Sequence, residues 1–412
     1  MTQAAESPQK VAPRFLDRTT PPTFMTLVAV TGIAAMPMNI FLPSLPHMAA
    51  EFGTDYSVIQ LSVALYLALT GATQVLLGPL ADRYGRRPVL LAAYGIFVLA
   101  SLGCILSTGV VMFLAFRMMQ ATVYSGVVLS RAIVRDTVAE SRAASMIGYL
   151  TMGMAVVPMI SPTLGGILDT TLGWRASFWV MFLCGSGAIW LIWHDIGETR
   201  PRAFASFAEQ FRGYPELLTA PRFWGYGVVQ ACSAGTYFAY LGGAPFVGTQ
   251  LFGLSPVMLG LFFGVNSIGY VTGSFLSGRL SAATGVLRMV IFGTLTSTVA
   301  LIVSLALFIA GFGSVVTFFG LMFFVAIGYG VTLPNATVGM LSVRPHLAGT
   351  ASGLGSAMMI LGGAALSAYA GAVLVPGAGA ERLIAIQLAS SLIGVAGAIF
   401  ILFRQRALAA QS

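Results

Sequence analysis

Apolar residues fall in blocks of about twenty, and short polar breaks between them hold nearly all the charge. Blocks of that length match the hydrocarbon thickness of a bilayer. They predict twelve spans, at 23–44, 57–79, 88–108, 111–134, 143–167 and 176–194, then 223–247, 255–279, 288–311, 314–338, 347–373 and 382–403. None shows the two-residue alternation of a barrel strand, so the spans are read as helices. One interior polar segment is long, 195–221, and carries Glu198, Arg200, Arg202, Glu209, Arg212 and Glu216. It divides the chain into two bundles of six, 23–194 and 222–403, with polar tails at 1–22 and 404–412. The first apolar run is too long for a signal-peptide core and is expected to stay as the first span.

Composition closes off other classes. The chain is 57% hydrophobic and only 8% charged, with a mean hydropathy of +0.88. A soluble domain has too little polar surface to cover so much apolar area. The net charge of +8 is scattered singly at the ends of apolar runs. Without a basic groove or interleaved aromatics it predicts topology and no nucleic-acid partner. Lys10, Arg14, Arg18, Arg83, Arg86, Arg87, Arg131, Arg135, Arg142, Arg200, Arg202, Arg212, Arg222, Arg279, Arg288, Arg344, Arg404 and Arg406 fall on one side if twelve spans are threaded. Arg175 and Arg382 fall on the other. The positive-inside rule then places both termini in the cytoplasm. Cys104, Cys184 and Cys232 lie inside apolar runs without metal-ligand spacing. His47, His194 and His346 are isolated, so no enzyme centre is expected.

The loop between the second and third spans reads GPLADRYGRR, from Gly78 to Arg87. Gly78 and Gly85 permit close helix approach and a sharp turn. Asp82, Arg83, Arg86 and Arg87 concentrate charge where a membrane hairpin reverses. GRLSAATG, at Gly278–Gly285, is a weak echo in the second half, with Ala282 and Ala283 in place of Asp82 and Arg83. Parallel repeats of this kind build transporters with a site between the halves. Arg117 lies inside a span, where an arginine needs a cavity or a partner. Gln120 and Tyr124 follow at helical spacing on the same face. The three form either a substrate-binding or proton-linked stripe, or a structural arginine capped by carbonyls.

With these motifs the chain resembles the major facilitator superfamily, and within it the drug/proton antiporters of the Bcr/CflA type. GPLADRYGRRPVL resembles the family's loop signature, RMMQATVYSG (Arg117–Gly126) the fourth-helix signature, and SPTLGG (Ser161–Gly166) the fifth-helix antiporter signature, with Ser161 in place of a usual Gly. NIFLPSLP (Asn39–Pro46) is similar to the family's first-helix end. The resemblance implies an all-α integral membrane protein with 12 transmembrane helices in two six-helix pseudo-repeats, the major facilitator fold. It implies that Asp82, Arg83, Arg86 and Asp136 form a latch closed in one state; the alternative is that these charges only fix topology. It implies a conformational role for the fifth helix, where Pro158 and Pro162 remove backbone donors and Gly165 and Gly166 thin the surface. Met118, Met119, Met152, Met154 and Met159 are candidates for an adaptable ligand surface. Tyr237, Phe238 and Tyr240 are candidates for the opposite wall.

One position departs from the family. Such antiporters usually carry an acid near the end of the first helix, and here the matching residue is Asn39, which cannot titrate. Every carboxylate lies in a tail, a loop or a predicted helix end. The resemblance implies efflux of small amphipathic drugs by alternating access across a bacterial inner membrane, driven by a proton gradient and with no cofactor. Expected partners are the small-molecule substrate and the lipid bilayer, with a single chain sufficient as a monomer. Asn39 keeps open a facilitator or importer of a neutral metabolite.

Overall fold

The structure is a computed structural model. It describes residues 13–137, 160–199, 214–344, 347–375 and 377–409, together with 146, 150 and 157. Lys10, Arg142, Met152, Met154, Pro158, Met159, His346 and residues 200–213 lie outside the described residues, as do the side chains of Asp82 and Arg135.

The described residues fit the expected twelve-helix plan. Ten described helices are long and apolar enough to cross a bilayer. The glycine-rich helix Pro221–Phe246 is the seventh span, and the helical residues 160–172 are the far end of the fifth. Span 1 is broken. Helix Phe24–Ala35 gives way to 3-10 turns at Met36–Met38 and Leu42–Ser44, then to helix Leu45–Glu51. Pro37 and Pro43 supply no N–H and so cannot continue the α-helical ladder. Span 4 tightens likewise, from Val110–Met119 through a 3-10 turn at Gln120–Tyr124 into Ser125–Thr137.

The two halves repeat each other more closely than their side chains suggest. Span 2 (Tyr56–Tyr84) and span 8 (Pro256–Thr284) are each 29 residues long. Each ends on a glycine with nearly the same backbone: Gly85 at φ 101°, ψ 152° and Gly285 at φ 90°, ψ 146°. Each is preceded by a left-handed glycine, Gly53 at φ 59° and Gly253 at φ 63°. A positive φ is cheap only for glycine, so these positions keep their residue while neighbours drift.

The end of span 6 (Arg175–Asp195) ties the N-terminal segment down. Asp195 is fully buried and accepts from the backbone N–H of Leu16 (2.7 Å) and of Thr23 (2.9 Å), and from Thr23 Oγ1 (3.0 Å). A carboxylate thus caps the start of span 1 from another helix, satisfying amides that the helix cannot. The short helix Tyr214–Leu218 in the central segment is joined to the second half by the Glu216–Arg344 ion pair at 2.9 Å.

The halves meet along two seams, spans 2 and 11 (Ala348–Val373) and spans 5 and 8. Gln60 Nε2 donates to the Ser367 carbonyl at 2.9 Å, and Tyr56 Oη donates to the Gly242 carbonyl at 2.7 Å. Thr163 Oγ1 donates to the Gly260 carbonyl at 3.0 Å. A Cβ on Gly166 would stand 2.3 Å from the Pro256 carbonyl oxygen, and one on Gly260 would stand 2.6 Å from that of Pro162. These contacts lie toward the face remote from the chain termini, where backbone meets backbone with no room for a side chain.

Candidate functional site

Three groups of residues carry the candidate chemistry. The first is the loop after span 2. Gly85 is held against a carboxylate: its missing Cβ would stand 2.3 Å from Glu198 Oε2. Glu198 Oε1 also accepts from the backbone N–H of Arg86 at 2.9 Å, capping span 3 (Arg86–Ile105) at its positive end. Arg86 is 8% exposed and donates from Nε to Asp136 Oδ2 at 3.3 Å, and Thr199 Oγ1 reaches the same oxygen at 3.5 Å. Arg87 donates from Nη2 to the Trp193 carbonyl at 3.0 Å and lies 4.9 Å from the Trp193 ring. Arg83 is exposed beside the Tyr84 ring. The helix runs unbroken through Gly78 and Asp82. So Arg86 and Asp136 meet, and the whole loop is fastened to the end of span 6. Glu198, read from the sequence only as part of the linker, and Trp193, not singled out there, supply that fastening.

The second group braces span 1. Arg117 is 1% exposed. Nη2 donates to the Pro37 carbonyl at 2.6 Å, and Nη1 donates to Gln120 Oε1 at 2.7 Å. Gln120 Nε2 passes the chain on to Ser101 Oγ at 2.8 Å. The guanidinium sits between two rings, 4.3 Å from Phe41 and 4.0 Å from Tyr66. A broken helix exposes carbonyls, and Arg117 takes one of them; the aromatic faces offset part of the cost of a buried charge. Asn39, 4% exposed, lies in the break and reaches the Ala35 carbonyl at 3.5 Å. Arg117 and Gln120 therefore sit inside the first half. Tyr124 does not share their burial, because the 3-10 turn rotates it away.

The third group lies midway along spans 7, 8 and 10 (Val315–Leu341) of the second half. Tyr237 of span 7 stacks on Tyr329 of span 10, with centroids 4.6 Å apart and planes at 13°. Tyr270 of span 8 tilts against both, at 6.3 and 5.5 Å. Tyr124 comes within electrostatic reach of Tyr270 and Tyr329 from the first half. Tyr240 is 1% exposed, packs on Phe263 at 5.5 Å, and its hydroxyl has no hydrogen-bond partner. Tyr270, Tyr329 and Asn266 were missed in the sequence. Asn266 and Tyr270 stand four apart in an apolar helix, so a polar pair on one face was the available signal.

Pro162, Gly165 and Gly166 lie buried at the second seam; a Cβ on Gly165 would collide with the Ile40 carbonyl in the break of span 1. Just beyond, Asp169 accepts from His47 Nδ1 at 3.0 Å with its side chain wholly buried, and its Oδ1 has no partner. Glu51, bonded to Arg175 and Trp174, borders this pair.

A family profile of the Major Facilitator Superfamily matches residues 27–368. The chain belongs to that superfamily of membrane transporters and is no enzyme. It is 33% identical over 339 residues to a chloramphenicol resistance protein of Pseudomonas aeruginosa, covering 80% of this chain and 78% of that one. It is 31% identical over 357 residues to the uncharacterized MFS-type transporter YdgK of Bacillus subtilis, covering 84% and 89%. Multidrug resistance protein D of Escherichia coli is 26% identical over 377 residues, covering 87% and 91%. Among solved structures, a D-xylose-proton symporter superposes with a TM-score of 0.73 at 16% identity, covering 92% of this chain and 96% of that one. A bacterial homologue of the lysosomal transporter Spinster, inward-facing and occupied, gives 0.71 at 17%, covering 93% and 96%. These two establish the fold. The protein is thus a multi-pass transporter of small molecules whose relatives include drug-resistance proteins.

Proposed function

We propose that this transporter exports small amphipathic drugs from the cytoplasm across the bacterial inner membrane by alternating access, in exchange for protons. Both termini face the cytosol, so the sealed face is the outer one and the described state is inward-facing. The observation that carries the reading is the aromatic group at mid-membrane, shared by both halves and lying inward of the seams. Rocking about that group would break the outer seam and form an inner one, which the Arg86–Asp136 pair and Glu198 would join. Drug-resistance relatives support the cargo class. Expression in a pump-deficient bacterium should raise the inhibitory concentration of several unrelated drugs at least about fourfold. An unchanged susceptibility panel, with the protein present in the membrane, refutes export.

The second reading is facilitated movement of a neutral metabolite, which Asn39 favours because it leaves the first span with no titrating group. Downhill flux without any pH response in everted vesicles would select it.

A further inference from the structure

The mid-membrane group has a definite chemistry. Tyr237, Tyr270 and Tyr329 present three phenol rings from three helices of the second half. Asn266 is 2% exposed, its side chain reaches Tyr237, and its Nδ2 donor has no acceptor. An unpaired amide N–H at that depth is costly unless something accepts from it. Tyr124 closes the group from the first half, and the exposed Arg131 lies two turns nearer the terminus side within electrostatic reach of Tyr124 and Tyr270.

Charge decides what fits. All 13 carboxylates of the chain lie in tails, loops or predicted span ends, and among the described residues none stands at this depth. A cation here would find no counter-ion and would face Arg131 on its way in. Aromatic faces can attract cations, but Tyr237 and Tyr329 each already turn one face on the other. An uncharged ring can lie against the edge of that stack without losing a hydration shell, and a nitro, carbonyl or amide oxygen on it would accept from Asn266. We propose that this site selects uncharged aromatic molecules carrying a hydrogen-bond acceptor and turns away lipophilic cations. The inference rests on the reading of this aromatic group as the substrate site.

The test is equilibrium binding to the purified full chain in lipid nanodiscs. The probes are radiolabelled chloramphenicol, an uncharged nitrophenyl amide, and tetraphenylphosphonium, a lipophilic cation. The expected result is saturable chloramphenicol binding that tetraphenylphosphonium does not displace. Asn266→Ala should weaken it about tenfold. Asn266→Asp should weaken it and let the cation bind, because it supplies the missing counter-charge. Tyr270→Leu should weaken chloramphenicol without admitting the cation, and keeps the test independent of how the Asn266 variants fold. Saturable cation binding to the wild-type chain, no saturable chloramphenicol binding, or full affinity in both Asn266→Ala and Tyr270→Leu would overturn the proposal. Binding does not report direction. Selective binding without resistance in cells would defeat the export reading alone, and resistance to cations only would defeat this inference alone.

Discussion

A single arginine shows how much a residue's partners matter. Arg117 joins the Pro37 carbonyl to Gln120 inside the first half. Arg117→Ala leaves both acceptors buried and unpaired, at about 1–3 kcal/mol each. It should lower the melting temperature and reduce resistance more than tenfold. Arg117→Lys keeps the charge but has no planar fork to reach both acceptors, so partial activity is expected. Equal resistance in all three proteins would remove Arg117 from any role in transport. Asp169 makes a second case. Its wholly buried side chain meets His47 Nδ1 at 3.0 Å. Asp169→Ala leaves that contact unmade and should cost about 1–3 kcal/mol of stability, read as a lower melting temperature, whereas Asp169→Asn can still accept from His47 and should lose less. Equal melting curves for the two variants would mean the contact adds nothing.

Elements were more legible in the sequence than their bends. The apolar blocks gave the spans because bilayer thickness is a strong constraint on length. The break at 36–44 was not visible as a break, because a proline inside a membrane helix is tolerated whenever a neighbour satisfies the freed carbonyl, and the 3-10 turn at 120–124 holds no proline or glycine to signal it. That neighbour, Arg117, is 80 positions away from Pro37. Tyr237 and Tyr240 were readable as candidates, yet Tyr329 and Tyr270 join them only through the crossing of three helices. The loop of Gly78–Arg87 announced itself by charge density, but Glu198 lies in a segment that read as a linker. The seam glycines yield a prediction of their own. Gly166→Ala and Gly260→Ala each place a methyl group on a backbone carbonyl of the opposite half. Overpacking of this kind costs about 1–3 kcal/mol, charged only to the state with the seam closed. Both variants should shift the population toward an open outer face. Spin labels on spans 5 and 8 near that face should report longer distances, whereas Gly278→Ala, with nothing near its Cβ, should not.

For the whole molecule the informative feature is an asymmetry laid over a repeat. Spans 2 and 8 match in length and in their terminal glycines, so the halves share a backbone plan. Their charges do not match. Residues 222–403 contain one carboxylate, Glu381, while the first half and its flanks hold the others. Gly285 has nothing within 4 Å of its missing Cβ, whereas Gly85 is pressed on Glu198. If protons drive this transporter, their binding groups belong to the first half, at its ends. Two of them carry a basic partner from another span, Asp136 with Arg86 on the terminus side and Asp169 with His47 on the far side. An inward proton gains about 2.3 kcal/mol per 100 mV, enough to drive export of an uncharged solute. In everted vesicles, export carries substrate into the lumen and protons out. Chloramphenicol should therefore make the lumen more alkaline. Asp136→Asn should cut that response about tenfold while leaving chloramphenicol binding intact, and Glu381→Gln should leave both unchanged. A response that survives Asp136→Asn but vanishes with Glu381→Gln would place the coupling in the other half and break the link between charge asymmetry and energy input.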